Sequence, residues 1–399
     1  MKIIDRMRPP PVGPFRPDAF SSPARSERTA AILGIALGIA FFTCFATGIY
    51  SHLAQHPPSW FHLWARPAGL YRVTQGLHIA TGIAAVPLLL AKLWTVFPKL
   101  FAWPPFQSVA SVLERLSLLP LVGGAVFLLF SGIANINLWY PWPFNFPLAH
   151  YWVAWITMGA LVVHIGAKVS ITREALRRAD PHGTGTDAAT ATATATAEVP
   201  AGMSRRQLLA TAFGVSGLVT LATVGQTYAP LRKLALLAPR RPDTGPQGFP
   251  VNRTARAAGV TTPAQAPDYR LEVTGRGITP ISLDLGRLRA MPQHRATLPI
   301  ACVEGWSVSR EWEGVRVRDL LALAGVPDAR AVRIESLQQR RSYRSSIVNA
   351  DQVGDADTLL AMRVNGEDLA LDHGYPLRLI APNRPGVMQT KWVARVVVL

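Results

Sequence analysis

The chain has 399 residues, of which 49% are hydrophobic and only 16% charged, and its mean hydropathy is +0.20. That is too apolar for an ordinary soluble enzyme and calls for membrane spans. The formal charge of +17 does not indicate nucleic acid, because the basic residues gather beside the apolar segments, where they set membrane orientation.

A basic tail, residues 1–28, carries Lys2, Arg6, Arg8, Arg16, Arg25 and Arg28. Apolar segments follow at 29–51, 71–96, 112–136 and 148–170, with a fifth at 207–229. A bilayer core is crossed by about 20 helical residues, so all five are long enough. The connection 52–70 holds only Arg66 and the connection 137–149 holds no Lys or Arg, whereas Arg173, Arg177, Arg178, Arg205 and Arg206 follow the fourth segment. The positive-inside rule then puts the N-terminus in the cytoplasm. The expected fold class is a membrane all-α four-helix bundle over 29–172 plus a fifth transmembrane helix, followed by an external α+β domain. The expected location, from the spans and the charge asymmetry, is a bacterial cytoplasmic membrane, crossed several times; the Ala, Arg and Gly content hints only at a GC-rich bacterial genome.

Four histidines sit in or beside these segments. His52 closes the first, His78 lies in "QGLHIATG" of the second, and His150 and His164 lie in "LAHYWVAWITMGALVVHIG" of the fourth. A histidine inside a bilayer is costly without a partner, so each is a functional candidate, against the plainer reading of a hydrogen bond between helices. His150 and His164 are 14 residues apart. That is close to four helical turns, so both leave one helix face about 21 Å apart. Four spans, His78 in the second and this paired-histidine helix resemble the haem b membrane subunits of formate dehydrogenases and nickel-iron hydrogenases, the cytochrome b561-like group. The resemblance implies one or two haems b. Depth favours His78 with His150 as a ligand pair on the outer side, with Arg72 marking the outer edge. The inner haem of that group needs a first-span histidine near the cytoplasm, and His52 lies at the opposite end, so the alternatives are a second haem on His164 with a partner not recognised in the sequence, or a pairing rearranged through His52.

Residues 173–203 include "GTGTDAATATATATAEVPAG", an Ala/Thr tract with no core-forming periodicity that reads as a disordered cytoplasmic linker. Residues 204–229 begin Ser204-Arg205-Arg206-Gln207-Leu208-Leu209, which resembles the twin-arginine export signal. Expected partners are therefore the twin-arginine translocase, the Sec insertion machinery and the lipid bilayer; nucleic acid is not among them.

Residues 230–399 hold 24 basic and 16 acidic side chains, an excess suited to an anionic cofactor or partner. The runs "YRLEVTG", "AVRIESL", "SYRSSIV", "LRLIA" and "KWVARVVVL" predict strands, and "VRDLLALAG" predicts a short helix stopped by Gly325. No GxGxxG or Walker loop appears in this part, so a nucleotide-binding reading lacks support. Cys302 ends the apolar run in "LPIACVEGWSVSREW", and the only other cysteine, Cys44, lies in the first span. A disulfide framework and a zinc site are not expected. An isolated buried cysteine is most often a small core hydrophobe.

The company of Cys302 changes that reading. "CVEGWS", then "WEGVRVRDLL", "DTLLAMRVNGEDLALDHGYPLRLIAP" and the terminal "TKWVARVVV" resemble the oxidoreductase molybdopterin domain of the sulfite oxidase family, nearest its bacterial branch with the methionine-sulfoxide reductase catalytic subunit. The resemblance implies a molybdenum-molybdopterin cofactor, with Cys302 as the thiolate ligand to the metal. A soft thiolate suits a metal whose other sulfur ligands come from a pterin dithiolene. It further implies cofactor contacts from Asn252, Arg253, Glu304, His373, Arg378 and Lys391, with Trp306 beside the metal ligand. No arginine-rich anion pocket can be placed from the sequence. The expected function is a membrane oxidoreductase passing electrons between quinone or quinol, haem b and an external molybdenum site, reducing an S-oxide or N-oxide of a small substrate or of an oxidised protein side chain. The alternatives are a quinone-reducing dehydrogenase of a small external substrate and a non-catalytic cofactor-binding membrane protein.

Overall fold

The computed structural model describes residues 13–14, 20, 22–101, 109–177, 203–339 and 343–399. Most of the basic tail and of the expected Ala/Thr linker lies outside them. Five helical stretches among the described residues are long and apolar enough to cross a membrane. They are α1 (Glu27–Gln55), α2 (Leu70–Val96, continued as a 3-10 turn to Phe101), α3 with α4 (Val109–Leu118 and Gly124–Ile136), α5 (Phe146–Arg177) and α6 (Arg205–Val224). Between α3 and α4 the helix widens to a π-turn over Leu119–Gly123 that contains Pro120. Proline removes a backbone donor and its ring crowds the preceding turn, and a wider turn relieves both. α6 ends at Val224, short of the expected 229. Just beyond it, Gly225 lies against the Leu231 carbonyl, where any side chain would overlap.

The chain forms two compact units, residues 1–45 with 80–220 and residues 46–79 with 221–399. In the first, Leu33 and Leu37 of α1, Ala85 and Leu88 of α2, Ala125 of α4 and Ala212 of α6 share one apolar core. The fifth helix is thus packed with the others, and Ser216 donates to the Ala84 carbonyl of α2 at 2.7 Å. Cys44 shares a hydrogen bond with Thr81 at 3.0 Å, and neither Cys44 nor Cys302 is in a disulfide.

The second unit is α+β. One sheet has the order β2 (Ile281–Asp284), β1 (Arg270–Gly275), β10 (Val393–Val398), β5 (Val332–Ser336), β6 (Ser345–Val348), with β1 and β10 parallel. Its alternating buried residues, among them Leu271, Val273, Ile334 and Val396, close a core with the helix Val317–Leu323. The other sheet has the order β3 (His294–Ala301), β4 (Ser307–Arg316), β7 (Leu359–Val364), β8 (Glu367–Asp368), with β9 (Arg378–Ile380) also on β7. Its core holds Phe249, Ile300, Trp312 and Ile380.

The C-terminal end of α1, the loop after it and the start of α2 belong to this second unit. Asn383 organises that join: its carbonyl oxygen accepts from Tyr71 N at 2.8 Å, and its amide donates to Trp64 O at 2.8 Å. Arg66 forks onto Asp355 at 2.8 and 2.9 Å and also reaches Asp357, while Asn349 donates to Leu63 O at 2.9 Å.

Candidate active site

The hairpin β3–β4 makes the site. Pro299 is tolerated in β3 because this strand lies at the sheet edge. The ladder pairs Ala301 with Ser307 and closes on Cys302–Trp306, where Cys302 N donates to Trp306 O at 2.9 Å and Gly305 N to Cys302 O at 3.0 Å. Gly305 has φ +92°, a conformation that glycine adopts without a steric penalty. The turn places Cys302 inward, 2% exposed. Burial raises its thiol well above the ordinary range, the neighbouring Glu304 adds to that, and Arg240 opposes it. Such a thiol stays protonated in the bare protein, and a bound metal ion is what deprotonates it outright.

A narrow cleft opens on Cys302, lined by Phe249, Asn252, Ile300, Trp306, His373, Arg378 and Gly386. Arg378 comes from β9, 5% exposed, with its guanidinium carbon 5.6 Å from the Trp312 ring. One of its nitrogens donates to His373 O at 3.0 Å, while Nε is buried with no hydrogen-bond partner among the described residues. Desolvation lowers its pKa to about 9, with Cys302 acting in the opposite sense. His373 stacks on Phe249 at 3.6 Å between ring centroids and is 2.8 Å from Pro246 O through Nε2. Burial, then Arg378, lowers its pKa to about 4, so the ring is neutral and Nε2–H donates. Lys391 Nζ donates to Arg253 O at 2.6 Å and Asp372 O at 2.9 Å, and lies 3.4 Å from Asn252 Oδ1. Burial and Arg378 hold it well below the usual ammonium range. Arg253 itself donates to Ala257 O at 3.0 Å.

Six of the sequence-derived positions, Asn252, Arg253, Cys302, His373, Arg378 and Lys391, therefore converge on one cleft or its rim. Glu304 is not among the residues lining that cleft but adjoins Cys302: it accepts from Trp306 Nε1 at 3.1 Å, pairs with Arg240 at 3.8 Å and bonds Cys302, and burial raises its pKa. Arg378 in a strand is buried rather than on a solvated face. Sequence reasoning missed Arg240 and Arg310, the latter bonded to Gly248 O with its guanidinium 5.9 Å from the Phe249 ring. It missed Arg384 too, which is buried yet fully engaged by Met388 O at 2.9 Å, Gln352 Oε1 at 2.7 Å and Ile347 O at 2.7 Å. Isolated arginines carry no spacing signal that could have singled them out.

The donor set fits a molybdenum-pterin group. It offers one thiol for the metal, the buried cation Arg378 in the same cleft, and the half-buried Lys391 beside the lining residue Asn252; neither cation makes an ion pair among the described residues. Burying the Arg378 charge without a counter-ion costs several kcal/mol, which a bound anion offsets. The width is tight: the cleft holds about 260 Å³ even with the space at its mouth included.

The membrane-segment histidines lie in other settings. His78 Nδ1 is 3.2 Å from Thr47 Oγ1, and its ring lies against Gly48. In the other unit His150 Nδ1 is 2.9 Å from Ser131 Oγ, and its ring lies against Gly132. His52, in the last turn of α1, has its ring 4.9 Å from that of His56, centroid to centroid, tilted by 30°. His164 is half-buried on α5.

Residues 258–399 match the family model of the oxidoreductase molybdopterin binding domain. Among curated proteins the chain is similar to sulfite oxidase of Arabidopsis thaliana, 29% identical over 158 residues, covering 31% of this chain and 40% of that protein. It is 33% identical over 165 residues to sulfite oxidase of Gallus gallus, covering 34% and 36% respectively. It is 31% identical over 126 residues to the uncharacterized oxidoreductase YuiH of Bacillus subtilis, covering 31% and 62%. The chain thus spans less than half the length of these sulfite oxidases. Among solved structures, the sulfane dehydrogenase SoxCD of Paracoccus pantotrophus is 30% identical with a TM-score of 0.31, covering 33% of this chain and 38% of that one. The C-terminal part of the chain is an oxidoreductase domain of the molybdopterin-binding type, similar to that of sulfite oxidases.

Proposed function

We propose that the protein is a membrane-bound molybdenum oxidoreductase that exchanges electrons with the quinone pool through haem b and reduces an S-oxide or N-oxide outside the cytoplasmic membrane. The single observation that carries this reading is the buried Cys302 thiol sharing one cleft with the buried Arg378, which makes no ion pair among the described residues. When bound, the molybdenum-pterin group supplies two-electron redox chemistry and accepts or releases an oxygen atom. Cys302 holds the metal. Arg378 and Lys391 hold the anionic part of the pterin by charge-assisted hydrogen bonds, with Asn252 and Arg253 orienting Lys391. His373, kept neutral and tied to Pro246 O, adds a polar wall without a third charge. In the proposed direction a sulfoxide substrate takes two electrons and two protons, its sulfur–oxygen bond breaks, and it leaves as the sulfide together with water.

Haem b is supported by the settings of His78 and His150, the candidate ligands. Each imidazole engages a hydroxyl through Nδ1. With Nδ1–H donating, Nε2 is the ring atom that carries the lone pair, and such an outer hydrogen bond is the usual companion of metal-ligating histidine. Five apolar stretches and basic residues concentrated at one set of their ends support a cytoplasmic N-terminus and an external C-terminal domain.

The test is optical. Protein purified in detergent and reduced with a quinol is mixed with sulfoxides and N-oxides while the haem band is followed. Reoxidation by a member of the panel is the expected result. Reduction of the oxidised haem by an added reduced substrate reverses the direction and establishes the dehydrogenase reading.

A further inference from the structure

The Cys302–Trp306 turn is held from the side away from the cleft by residues in or just beyond membrane-length helices. Gln75 of α2 donates from Nε2 to Val303 O at 3.3 Å, and its Oε1 accepts from Ser51 Oγ of α1 at 3.2 Å. Ser51 Oγ in turn shares a hydrogen bond with Tyr71 at 3.0 Å. Just beyond α6, Thr227 donates to Gly305 O, and Gln226 O accepts from Ser307 N at 2.9 Å. Gly305 lacks a side chain where these elements meet: a Cβ there would lie 2.7 Å from Gln226 Nε2 and 3.1 Å from Ile79 Cγ1. So the peptide next to the thiol is bonded to α2 one helical turn from His78, and Ile79 touches the same turn.

This juxtaposition rests on the reading above, in which Cys302 and His78 each hold a redox group. Electron tunnelling weakens steeply across gaps that no bond or hydrogen bond spans. The route from Cys302 through the Val303 carbonyl, the Gln75 amide and one turn of α2 to His78 contains one hydrogen bond and otherwise covalent links. We propose that Gln75 is the positioning residue that couples the Cys302 turn to His78, and that the other clamp, Thr227, fixes the turn without carrying the coupling. The pairing of Val303 with Gln75 makes the second membrane span part of the electron route as well as an anchor.

Laser-flash photolysis of the detergent-purified protein reads the rate of electron transfer between the two centres, with molybdenum and haem content and the molybdenum(V) paramagnetic signal as controls. Loss of the Gln75 bond replaces the one hydrogen bond of this route by an open gap. Transfer is expected to slow severalfold or more in Gln75→Leu and Gln75→Met, both cofactors being retained. Thr227→Val, which removes a bond to the same turn, is expected to keep nearly the wild-type rate. Unchanged rates in the Gln75 variants, equal slowing in Thr227→Val, or failure of both Gln75 variants to accumulate with cofactors would overturn the proposal in favour of a purely structural clamp. Absence of molybdenum or haem from the wild-type protein is a separate result, and it defeats the underlying functional reading.

Discussion

Arg378 gives up water for a place that offers its guanidinium one backbone carbonyl and the face of Trp312, and leaves Nε unpaired. A structural arginine looks different: Arg384, equally buried, satisfies all three nitrogens with acceptors of this domain. The contrast gives a prediction. Replacing an uncompensated buried cation by an apolar residue of similar length is often neutral or stabilising. Arg378→Met is therefore expected to leave the thermal midpoint of cofactor-free protein unchanged or higher. A lost charge-assisted hydrogen bond of about 1.5–3 kcal/mol should weaken cofactor retention by at least about tenfold. Molybdenum analysis after gel filtration checks the second effect.

His373 supplies a pH signature. Its pKa is lowered in the folded protein to about 4 from an ordinary 6.5, because burial and Arg378 disfavour the charged ring. Between those values the unfolded chain binds a proton that the folded one does not, so stability falls as pH drops from about 6.5 to about 4 and levels off below. At about 1.4 kcal/mol per pKa unit the loss reaches about 3 kcal/mol. Thermal unfolding in detergent over that window should show the decline in wild-type protein and a shallower one in His373→Gln. Equal slopes would remove His373 as the cause. At this scale the sequence was informative where residues sat inside an ordered motif, as Cys302 and Arg378 do. It was silent on Asn383, Arg384 and Gln75, whose partners lie far away in the chain.

The elements were legible where periodicity was clean. The predicted strands at β1, β5, β6, β9 and β10 are present, as is the helix Val317–Leu323 followed by Gly325 at φ +79°. The hairpin that carries Cys302 was harder to see. β3 contains Pro299, which is acceptable only at an edge, and β4 is interrupted by a bulge between Glu313 and Gly314, where Gly314 passes close to the Leu360 backbone. β7 reads as a continuous apolar run because both its faces are covered. Among the helices, a common arrangement recurs at His78 and His150, a hydroxyl on Nδ1 and a glycine against the ring, each supplied by a neighbouring helix. If these are haem ligands, losing the hydroxyl frees the ring to rotate and lowers metal affinity by about 10- to 100-fold. Thr47→Val and Ser131→Ala should each lower haem content in purified protein, read from the haem absorbance per chain. Full occupancy in both variants would assign the two hydroxyls to helix packing alone.

At the scale of the molecule, composition pointed to five apolar segments, and five helical stretches among the described residues are long and apolar enough to cross a membrane. What the sequence did not reveal is that residues 46–79 fold with the C-terminal domain, since nothing in a hydropathy profile distinguishes the end of a span from the floor of an enzyme. Asn383 and Arg66 make that join through hydrogen bonds and ion pairs spanning hundreds of residues in the chain. The central claim is that Cys302 holds molybdenum. The most direct measurement is X-ray absorption at the molybdenum edge on purified wild-type and Cys302→Ser protein. A molybdenum centre in the wild type that has one fewer sulfur neighbour in the variant is the expected result. No molybdenum in the wild type, or an unchanged sulfur shell in the variant, would contradict it.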